Sequence, residues 1–488
     1  MNEKYQPNLE SVRHHQVPQW YHDAKFGIFI HWSLSCIPAY APTDMGDITE
    51  VVAQHGWKKH YANNPYAEWY LNSLRIENSP VSKFHMEKYG SEYSYDNFGR
   101  TFNDSLRQWD PREWADVFKG VEARYVVLVS KHHDGFLLWP SQHPNPRKPN
   151  WQVDRDVVGE LTDAVREKGL KMGFYYSGSL DWSFNQAPIT DTVGLMINGP
   201  TTREYADYVD AHFRELIDKY QPSILWNDIG YPPGQNLNEL FAYYYNKIDE
   251  GLVNDRWLQI PKKGRWIYRT WPIRPLLDYV MKRALIKEGL SPPTPPHSDY
   301  STPEYTTLSK ISPRKWECVR GIGKSFGYNQ LETPVDYLTV PELVHMLIDI
   351  VSKNGNLLLN VGPMSDGTIP EVQLERLSGL GEWLKINGEA IFDTRPWSVA
   401  EGKTDCGIDV RFTQKNRDLY AIPMNSPDQS LIKINNLQAA PDTAINLLGS
   451  PGDCAWEQIG PDLQIKMPEN LPDSPAFSLK ISPQPKRL

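Results

Sequence analysis

Residues 156–177 read DVVGELTDAVREKGLKMGFYYS, a helical pattern followed by a strand pattern. In residues 156–168 the apolar positions recur every three to four residues, which predicts an amphipathic helix with one buried face. Residues 171–177 are a short apolar run, typical of a buried strand. A second such run, YVVLVS, precedes the helix at residues 125–130. Together these stretches predict two parallel strands joined by a helix.

The same alternation continues along most of the chain. Predicted strands lie at residues 26–32 (FGIFIHW), 125–130, 171–177, 224–228 (ILWND) and 356–361 (NLLLNV). Predicted helices lie at residues 156–168, 203–220, 238–250 and 341–353. Alternation over this length favours a (β/α)8-like barrel over an open parallel sheet. No glycine-rich phosphate motif follows the first strand, which further disfavours a dinucleotide-binding fold.

The pattern changes after residue 393. Helical periodicity stops, and short alternating runs separated by turn residues follow, beginning at residues 409–412 and 419–423. This predicts an α/β catalytic barrel over residues 1–393 and a C-terminal antiparallel β-sandwich over residues 394–488. Within the barrel region, residues 281–303 include SPPTPP and predict a long loop near the barrel mouth.

Charge and composition narrow the class of partner. The chain of 488 residues carries a net charge of −9, which argues against a nucleic acid or an anionic membrane as partner. Residues 1–16 are polar and the apolar runs are short, so we expect no secretory signal, no membrane span and a cytoplasmic location. The sequence is compatible with a homo-oligomer. Its 17 tryptophans and 26 tyrosines offer flat apolar faces suited to stacking on sugars.

Polar residues cluster where the predicted strands end. His31 ends the first strand, His132 and His133 follow the second, Tyr175 lies near the end of the third, and Asp228 ends the fourth. In a (β/α) barrel the carboxyl ends of all strands meet at one face, so these residues are predicted to share a pocket. Histidines, aromatics and a carboxylate suit glycoside hydrolysis, which needs two carboxylic acids and groups that bind hydroxyls.

These residues also allow other interpretations. The pair His132-His133 could ligate a metal, although adjacent strand residues point to opposite sides and no zinc-like spacing surrounds them. Asp228 could be a turn residue before Ile229 and Gly230. Residues 323–327 (GKSFG) match the G-x-S-x-G pattern of serine hydrolases, but a poor helix start follows, and Cys318 stands where a phosphate loop needs glycine. We therefore expect no metal at this site.

Several longer motifs resemble one family. They are KFGIFIHWSL (25–34), AEWY (67–70), KHHDGF (131–136), ILWNDIGYP (224–232), VNDRW (253–257), DYSTPEY (299–305), WECVRGIGKSFGYN (316–329) and GNLLLNVGPMSDGTIP (355–370). With them the chain resembles the family 29 glycoside hydrolases, the α-L-fucosidases, particularly those of bacteria. The resemblance covers nearly the whole barrel region. It implies a barrel followed by a β-sandwich, fucosylated oligosaccharides or glycoconjugates as substrates, and a cofactor-free retaining mechanism through a covalent fucosyl-enzyme.

The resemblance also implies roles for single residues. Asp228, the aspartate of the LWND motif, matches the nucleophile, and Glu304, in DYSTPEY, matches the general acid/base. The matching sugar-binding positions are His31, Glu68, Trp69, His132, His133, Tyr175, Arg256 and Phe326, and Tyr66 is a further candidate. The acid/base position varies within the family, so Glu317 and Glu68 remain rivals to Glu304. An insertion at residues 258–297 separates Arg256 from Glu304.

Four functional hypotheses follow. The leading one is a retaining exo-α-L-fucosidase, with transfer of fucose to other acceptors as a further activity. The alternatives are an exo-glycosidase of another sugar or a chain that mainly transfers fucose, a carbohydrate-binding protein without activity, and a serine esterase. Asp228 and Glu304 are both present, which disfavours the inactive binding protein.

Overall fold

The computed structural model describes residues 4–46, 48–288, 294–425, 431–468, 471 and 473–487. Seven parallel strands form its central sheet, with the order β5-β4-β3-β2-β1-β7-β6. These strands are β1 (Phe26–Ile30), β2 (Tyr125–Lys131), β3 (Lys171–Ser177), β4 (Ile224–Asp228), β5 (Leu252–Val253), β6 (Trp316–Gly321) and β7 (Gly355–Val361). Nearly every strand residue is buried, as expected when helices cover one side and the barrel core fills the other.

Residues 299–305 close the barrel between β5 and β6. The Asp299 N–H donates to the Val253 carbonyl at 3.0 Å. On the other side, Ser301 and Glu304 form parallel bridges with residues of β6, and the Glu317 N–H donates to the Ser301 carbonyl at 2.8 Å. The central sheet thus has an eighth, irregular member, which confirms the predicted (β/α)8-like barrel.

Fifteen α-helices are formed by the described residues. They are α1 (Leu9–Val12), α2 (Gln19–Ala24), α3 (Ile48–His55), α4 (Trp57–Ala62), α5 (Tyr70–Leu74), α6 (Pro80–Tyr89), α7 (Asn97–Ser105), α8 (Pro111–Gly120), α9 (Val157–Glu167), α10 (Thr192–Ile197), α11 (Arg203–Tyr220), α12 (Leu237–Lys247), α13 (Ile273–Glu288), α14 (Val340–Ser352) and α15 (Glu371–Asn387). The crossover helices begin at N-cap side chains. For example, the Asp156 carboxylate accepts from the Gly159 N–H at 2.9 Å at the start of α9.

Antiparallel sheets make up the C-terminal part. Their strands are β8 (Arg395–Lys403), β9 (Asp409–Lys415), β10 (Asp418–Pro423), β11 (Leu431–Ile434), β12 (Leu437–Gln438), β13 (Ala444–Leu447), β14 (Trp456–Ile459), β15 (Asp462–Lys466), β16 (Leu479–Ser482) and β17 (Lys486–Arg487). A five-stranded sheet, β13-β16-β10-β9-β8, faces a three-stranded sheet, β11-β15-β14, across a shared apolar core. The predicted β-sandwich is confirmed.

The sandwich packs against the last barrel helices. Arg411 of β9 pairs with Asp349 of α14 at 2.7 Å, and the Trp383 indole of α15 donates to the Ala476 carbonyl at 2.9 Å. Helix α15 ends at Asn387 and strand β8 begins at Arg395. The division of the chain between residues 393 and 394 stays a prediction.

The prediction of a long loop at residues 281–303 is wrong at both of its ends. Residues 281–288 continue α13, because MKRALIKE is rich in strong helix formers and the prolines come only after it. Residues 299–303 belong to the barrel wall. Residues 289–293 of the predicted loop lie outside the described residues. Across the described ranges, no helix has both the length and the apolar character needed to cross a bilayer.

Candidate active site

One pocket opens at the carboxyl ends of the barrel strands. Its lining includes all ten residues predicted for the site: His31, Glu68, Trp69, His132, His133, Tyr175, Asp228, Arg256, Glu304 and Phe326. Tyr66, the further candidate, lines it as well. The barrel thus brings together residues from more than half the length of the chain, as the strand-end argument predicts.

Asp228 is the last residue of β4 and is held by three donors. The Tyr175 hydroxyl donates to Oδ2 at 2.8 Å, the Arg256 guanidinium to Oδ1 at 3.0 Å, and the Ile229 N–H to Oδ1 at 2.9 Å. Burial opposes ionisation, but the Arg256 guanidinium and the Tyr175 hydroxyl outweigh it, so the pKa of Asp228 lies below its usual value. Asp228 is therefore an anion at neutral pH.

The turn after Asp228 is strained. Ile229 has φ +56°, a left-handed conformation that is rare for a β-branched residue, and Gly230 follows with φ +85°. The Ile229 N–H, at the start of this turn, donates to the Asp228 carboxylate. Such strain is common at functional sites, where the surrounding structure imposes it.

Glu304 faces Asp228 across the same guanidinium group. Arg256 Nη1 lies 2.5 Å from Glu304 Oε1 and 3.0 Å from Asp228 Oδ1, so these two oxygens are at most 5.5 Å apart. Burial is the main influence on Glu304 and, with the Asp228 charge, raises its pKa despite the opposing effect of Arg256. Two neighbouring carboxyl groups therefore have pKa values displaced in opposite directions.

Arg256 is fixed by groups that sequence reasoning did not identify. Its Nε donates to the Thr302 hydroxyl and its Nη2 to the Thr302 carbonyl, both at 2.9 Å. The Thr302 hydroxyl in turn donates to Asp255 at 2.7 Å, and the guanidinium lies 4.7 Å from the centre of the Trp226 ring. Thr302 lies in the residues that close the barrel, so no local pattern connects it with Arg256.

Two histidines present hydrogen-bond acceptors to the pocket. Burial lowers the pKa of His31 to about 4 and that of His133 to about 3, so both rings are neutral. The Asn360 amide nitrogen donates to the Phe326 carbonyl, which directs its oxygen towards His31 Nδ1 at 2.6 Å. Because an amide oxygen can only accept, the bond to Asn360 requires a proton on His31 Nδ1 and leaves Nε2 of the neutral ring as an acceptor.

The tautomer of His133 is fixed in the same way. The Ser177 hydroxyl donates to the Leu180 carbonyl at 2.6 Å, so its oxygen accepts from His133 Nδ1 at 2.7 Å. His133 Nε2 is then an acceptor too. A ligand with hydroxyl groups could donate to both histidines.

Aromatic rings form the walls between these polar groups. The His132 ring lies 5.7 Å from the Tyr175 ring and nearly parallel to it, while Trp69 meets His133 edge-on at 5.2 Å. Phe326 lies 5.0 Å from the His31 ring. The pocket therefore combines hydrogen-bonding groups with flat apolar surface, the combination that a sugar with a methyl substituent requires.

Glu68 lies at the pocket edge and is held by a loop. Its Oε2 accepts from the Gly327 N–H at 2.8 Å, and the Ser325 hydroxyl oxygen lies 3.4 Å from it. Burial raises the pKa of Glu68 to about 7, against the effect of the Gly327 hydrogen bond. Glu68 therefore exchanges a proton near neutral pH, and its hydrogen bonds point to a positioning or binding role.

Glu317 lies beneath the pocket and does not line it. Its carboxyl group accepts from the Tyr125 hydroxyl at 2.6 Å, the Tyr21 hydroxyl at 2.7 Å and the Trp226 indole at 3.0 Å. The Glu317 side chain is fully buried in the barrel core and is held by these uncharged donors, while Arg320 Nε donates to the Gly321 carbonyl instead. Glu317 therefore positions the Trp226 ring, against which the Arg256 guanidinium packs.

The serine-hydrolase pattern at residues 323–327 has no catalytic geometry. The Ser325 hydroxyl donates to the Gly327 carbonyl at 2.7 Å and accepts from the Ala67 N–H at 2.9 Å. Turns rather than a helix follow it. This loop therefore braces Glu68 and does not form a nucleophile elbow.

The outer wall of the pocket was not predicted. Helix α10 contributes Leu195 and Met196, and the insertion at residues 258–297 contributes Leu258, Ile260 and Met281. These side chains are apolar and lie on segments without a strong strand or helix period, so no sequence signal identified them. The insertion extends the pocket outward from the two carboxyl groups.

Metal dependence can be tested directly. In the described part of the chain, no three His, Cys, Asp or Glu side chains come together in a way that could hold a metal ion. We expect EDTA to leave kcat/KM for an aryl α-L-fucoside unchanged after dialysis. A loss of activity that zinc restores would instead assign His132 and His133 as ligands.

The carboxyl groups of Asp228 and Glu304, whose facing oxygens lie no more than 5.5 Å apart at the barrel mouth, are the pair that a glycoside hydrolase requires, and this indicates the class of the enzyme. Comparison with known proteins gives the family. The family profile "Alpha-L-fucosidase" matches residues 1–389, and "Alpha-L-fucosidase C-terminal domain" matches residues 404–482. The chain belongs to the α-L-fucosidase family, glycoside hydrolase family 29, and is a glycoside hydrolase of that specificity.

The individual proteins to which the chain is similar are also described as fucosidases. The chain is 30% identical to the tissue alpha-L-fucosidase of Homo sapiens, over 96% of this chain and 89% of that protein. Among solved structures, it is 41% identical to the Thermotoga maritima alpha-fucosidase in complex with a mechanism-based inhibitor, with a TM-score of 0.83 over 98% and 99% of the two chains. It is 25% identical to alpha-L-fucosidase isoenzyme 1 from Paenibacillus thiaminolyticus, with a TM-score of 0.70 over 97% and 100%.

Proposed function

We propose that this α-L-fucosidase is a retaining exo-enzyme that works by double displacement. The observation that carries the proposal is the shared contact of Asp228 and Glu304 with Arg256 Nη1, which limits their nearest oxygens to 5.5 Å. Retaining glycosidases hold their two carboxyl groups about 5–5.5 Å apart, whereas inverting enzymes need about 6.5–9.5 Å to admit a water molecule.

In the first step, Asp228 Oδ1 or Oδ2 attacks the anomeric carbon and the bond to the leaving oxygen breaks. Glu304 gives its proton to that oxygen, so the leaving group departs as a neutral alcohol. In the second step Glu304, now a carboxylate, takes a proton from water, which attacks the anomeric carbon and releases Asp228. If another alcohol replaces water, the same step transfers fucose to it.

The surrounding residues would bind the sugar. His31 and His133 accept hydrogen bonds from hydroxyls through Nε2, and His132, Glu68 and Arg256 supply further polar contacts. Trp69 and Phe326 offer apolar surface to the 6-methyl group and ring face. Fucosylated oligosaccharides or glycoconjugates are the corresponding substrates.

NMR of the first product tests the mechanism. We expect α-L-fucose to appear before mutarotation, because two inversions at the anomeric carbon restore its configuration. β-L-fucose as the initial product would contradict the double displacement. An added acceptor alcohol should divert part of the product into an α-fucoside.

The dependence of kcat/KM on pH gives a second test. The pKa of Asp228 is lowered, so the nucleophile stays ionised until pH falls below the usual carboxylate range. The pKa of Glu304 is raised, so the acid keeps its proton to higher pH than an ordinary glutamate and loses it as pH rises further. We expect a bell-shaped profile whose alkaline limb disappears in Glu304→Gln.

Glu68 provides the control for that assignment, because its pKa of about 7 could also produce an alkaline limb. If the limb instead persists in Glu304→Gln and is absent in Glu68→Gln, Glu68 is the group that titrates.

A further inference from the structure

The insertion contains a segment whose charge is opposite to that of the protein. Residues 262–288 contain eight lysines and arginines and two acidic residues, a local charge of +6, in a chain with a net charge of −9. We call these residues the basic insert. Two of the eight, Arg265 and Arg274, bind groups within the protein, so the charge offered to a partner is smaller but still positive. The expectation that the protein avoids anionic surfaces rests on the net charge, which averages over this segment. Charge acts locally, because salt screens it within about 10 Å.

The basic insert also exposes large apolar side chains. Trp266 and Trp271 are 69% and 85% exposed. On α13, Leu276, Tyr279 and Val280 are 50–60% exposed and lie three and four residues apart, so they form one stripe on the solvent side. The opposite side of α13 packs through Leu285, which is buried. Helix α13 is therefore apolar on both sides.

Basic groups accompany this apolar stripe. Lys262, Lys263 and Arg283 are exposed, and the Arg283 guanidinium lies 5.5 Å from the centre of the Tyr279 ring. Tryptophan, tyrosine and leucine interspersed with lysine and arginine are the composition with which amphipathic segments lie in the headgroup region of anionic membranes. A contact between proteins would also bury apolar groups, but it has no need of this concentration of positive charge.

The basic insert is fixed to the pocket. Arg265 donates to the carbonyls of Ile197 and Gly199 at 2.9 Å each, and Arg274 pairs with Asp191 at 2.5 Å. Arg265 and Met281 themselves line the pocket. A surface bound by the exposed side of the basic insert would therefore lie beside the opening through which substrate enters.

We propose that the basic insert docks this enzyme on anionic phospholipid surfaces. The exposed tryptophans and the stripe on α13 enter the headgroup region, and the basic side chains pair with lipid phosphates. Docking places the pocket beside fucosyl groups that are carried on lipids. This last step rests on the proposed fucosidase function, whereas docking itself does not.

Vesicle co-sedimentation tests the docking. We expect the protein to bind vesicles of equal parts phosphatidylglycerol and phosphatidylcholine, to release them as salt rises, and to bind pure phosphatidylcholine weakly. Trp266→Ser with Trp271→Ser should lower the partition coefficient by about tenfold or more, and Lys262→Glu with Lys263→Glu and Arg283→Glu should abolish the preference for anionic vesicles. Met86→Ser with Val335→Ser is the matched control, since these residues are 57% and 91% exposed elsewhere and should bind as the unmodified protein does.

Hydrolysis of a soluble substrate and of a membrane-bound substrate distinguishes an effect on docking from an effect on catalysis. None of the substituted residues lines the pocket, so all variants should hydrolyse a soluble aryl α-L-fucoside at the unmodified rate. Hydrolysis of a fucosyl glycolipid in anionic vesicles should fall with the tryptophan pair and not with the control pair. Absence of binding to anionic vesicles overturns the proposal. Light scattering that shows self-association dependent on Trp266 and Trp271 also overturns it, because a second copy would then occupy this surface.

Discussion

Asp228→Gly is expected to lower kcat/KM for an aryl α-L-fucoside by about 10⁴-fold or more, because no other group can attack the anomeric carbon. The fold should survive, since Arg256 keeps its contacts with Glu304 and Thr302. Circular dichroism and thermal unfolding can confirm this. Added azide should restore part of the rate, because a small anion fits the vacated space, and the product should be β-fucosyl azide.

A matched control comes from another strand of the barrel, β2. Asp134 is also a buried aspartate that follows a barrel strand, and its carboxylate accepts from the Tyr95 hydroxyl at 2.9 Å, outside the pocket lining. Asp134→Asn should retain activity within about tenfold of the unmodified enzyme. Activity of Asp228→Gly in that same range would remove Asp228 from its proposed role.

Glu304→Ala is expected to have the second-largest effect, and its size should depend on the leaving group. A general acid contributes about 10²–10⁴-fold, and most when the leaving oxygen is a poor leaving group. Hydrolysis of a fucosyl disaccharide should therefore fall about a thousandfold, whereas bond cleavage in a nitrophenyl fucoside should fall far less. Hydrolysis of the fucosyl-enzyme should also slow, and azide should accelerate it to give α-fucosyl azide, with retained configuration.

The rival glutamates give distinct expectations. Glu68→Ala should weaken both substrates alike, because lost binding does not depend on the leaving group. Glu317→Gln preserves the size of a buried side chain whose hydrogen-bond donors are Tyr21, Tyr125 and Trp226, so its losses should be uniform too. Leaving-group dependence in Glu317→Gln, with uniform losses in Glu304→Ala, would transfer the acid/base role to Glu317.

The sequence by itself determined the barrel, the sandwich and ten of the residues that line the pocket. Apolar runs and helical periods are local properties, so β3 and β4 begin and end where the sequence predicts, at residues 171–177 and 224–228. Because parallel strands end at one face, residues far apart such as His31 and Asp228 could be assigned to one site. The structure places all ten predicted residues there, while their individual roles stay predictions.

Helices α3 to α8 were not identified from sequence. They lie at residues 48–120, and several are short, so each offers only one or two turns of periodic pattern. Their helical form depends on packing against the barrel more than on local preference. For the same reason the apolar outer wall of the pocket, formed by α10 and the insertion, has no signal in the sequence.

Only the tertiary structure determined the distance between the carboxyl groups of Asp228 and Glu304 and the directions of their pKa shifts. Residues 299–305 contain too irregular a pattern to predict a strand, yet their hydrogen bonds to Val253 and β6 close the barrel and bring Glu304 to Arg256. The same closure distinguishes the two candidate acids, because it places Glu304 in the pocket and leaves Glu317 buried beneath Trp226. The physical reason is that pKa shifts and the separation of carboxyl groups arise from burial and from charges brought together across the barrel, and neither is written in the spacing of residues along the chain.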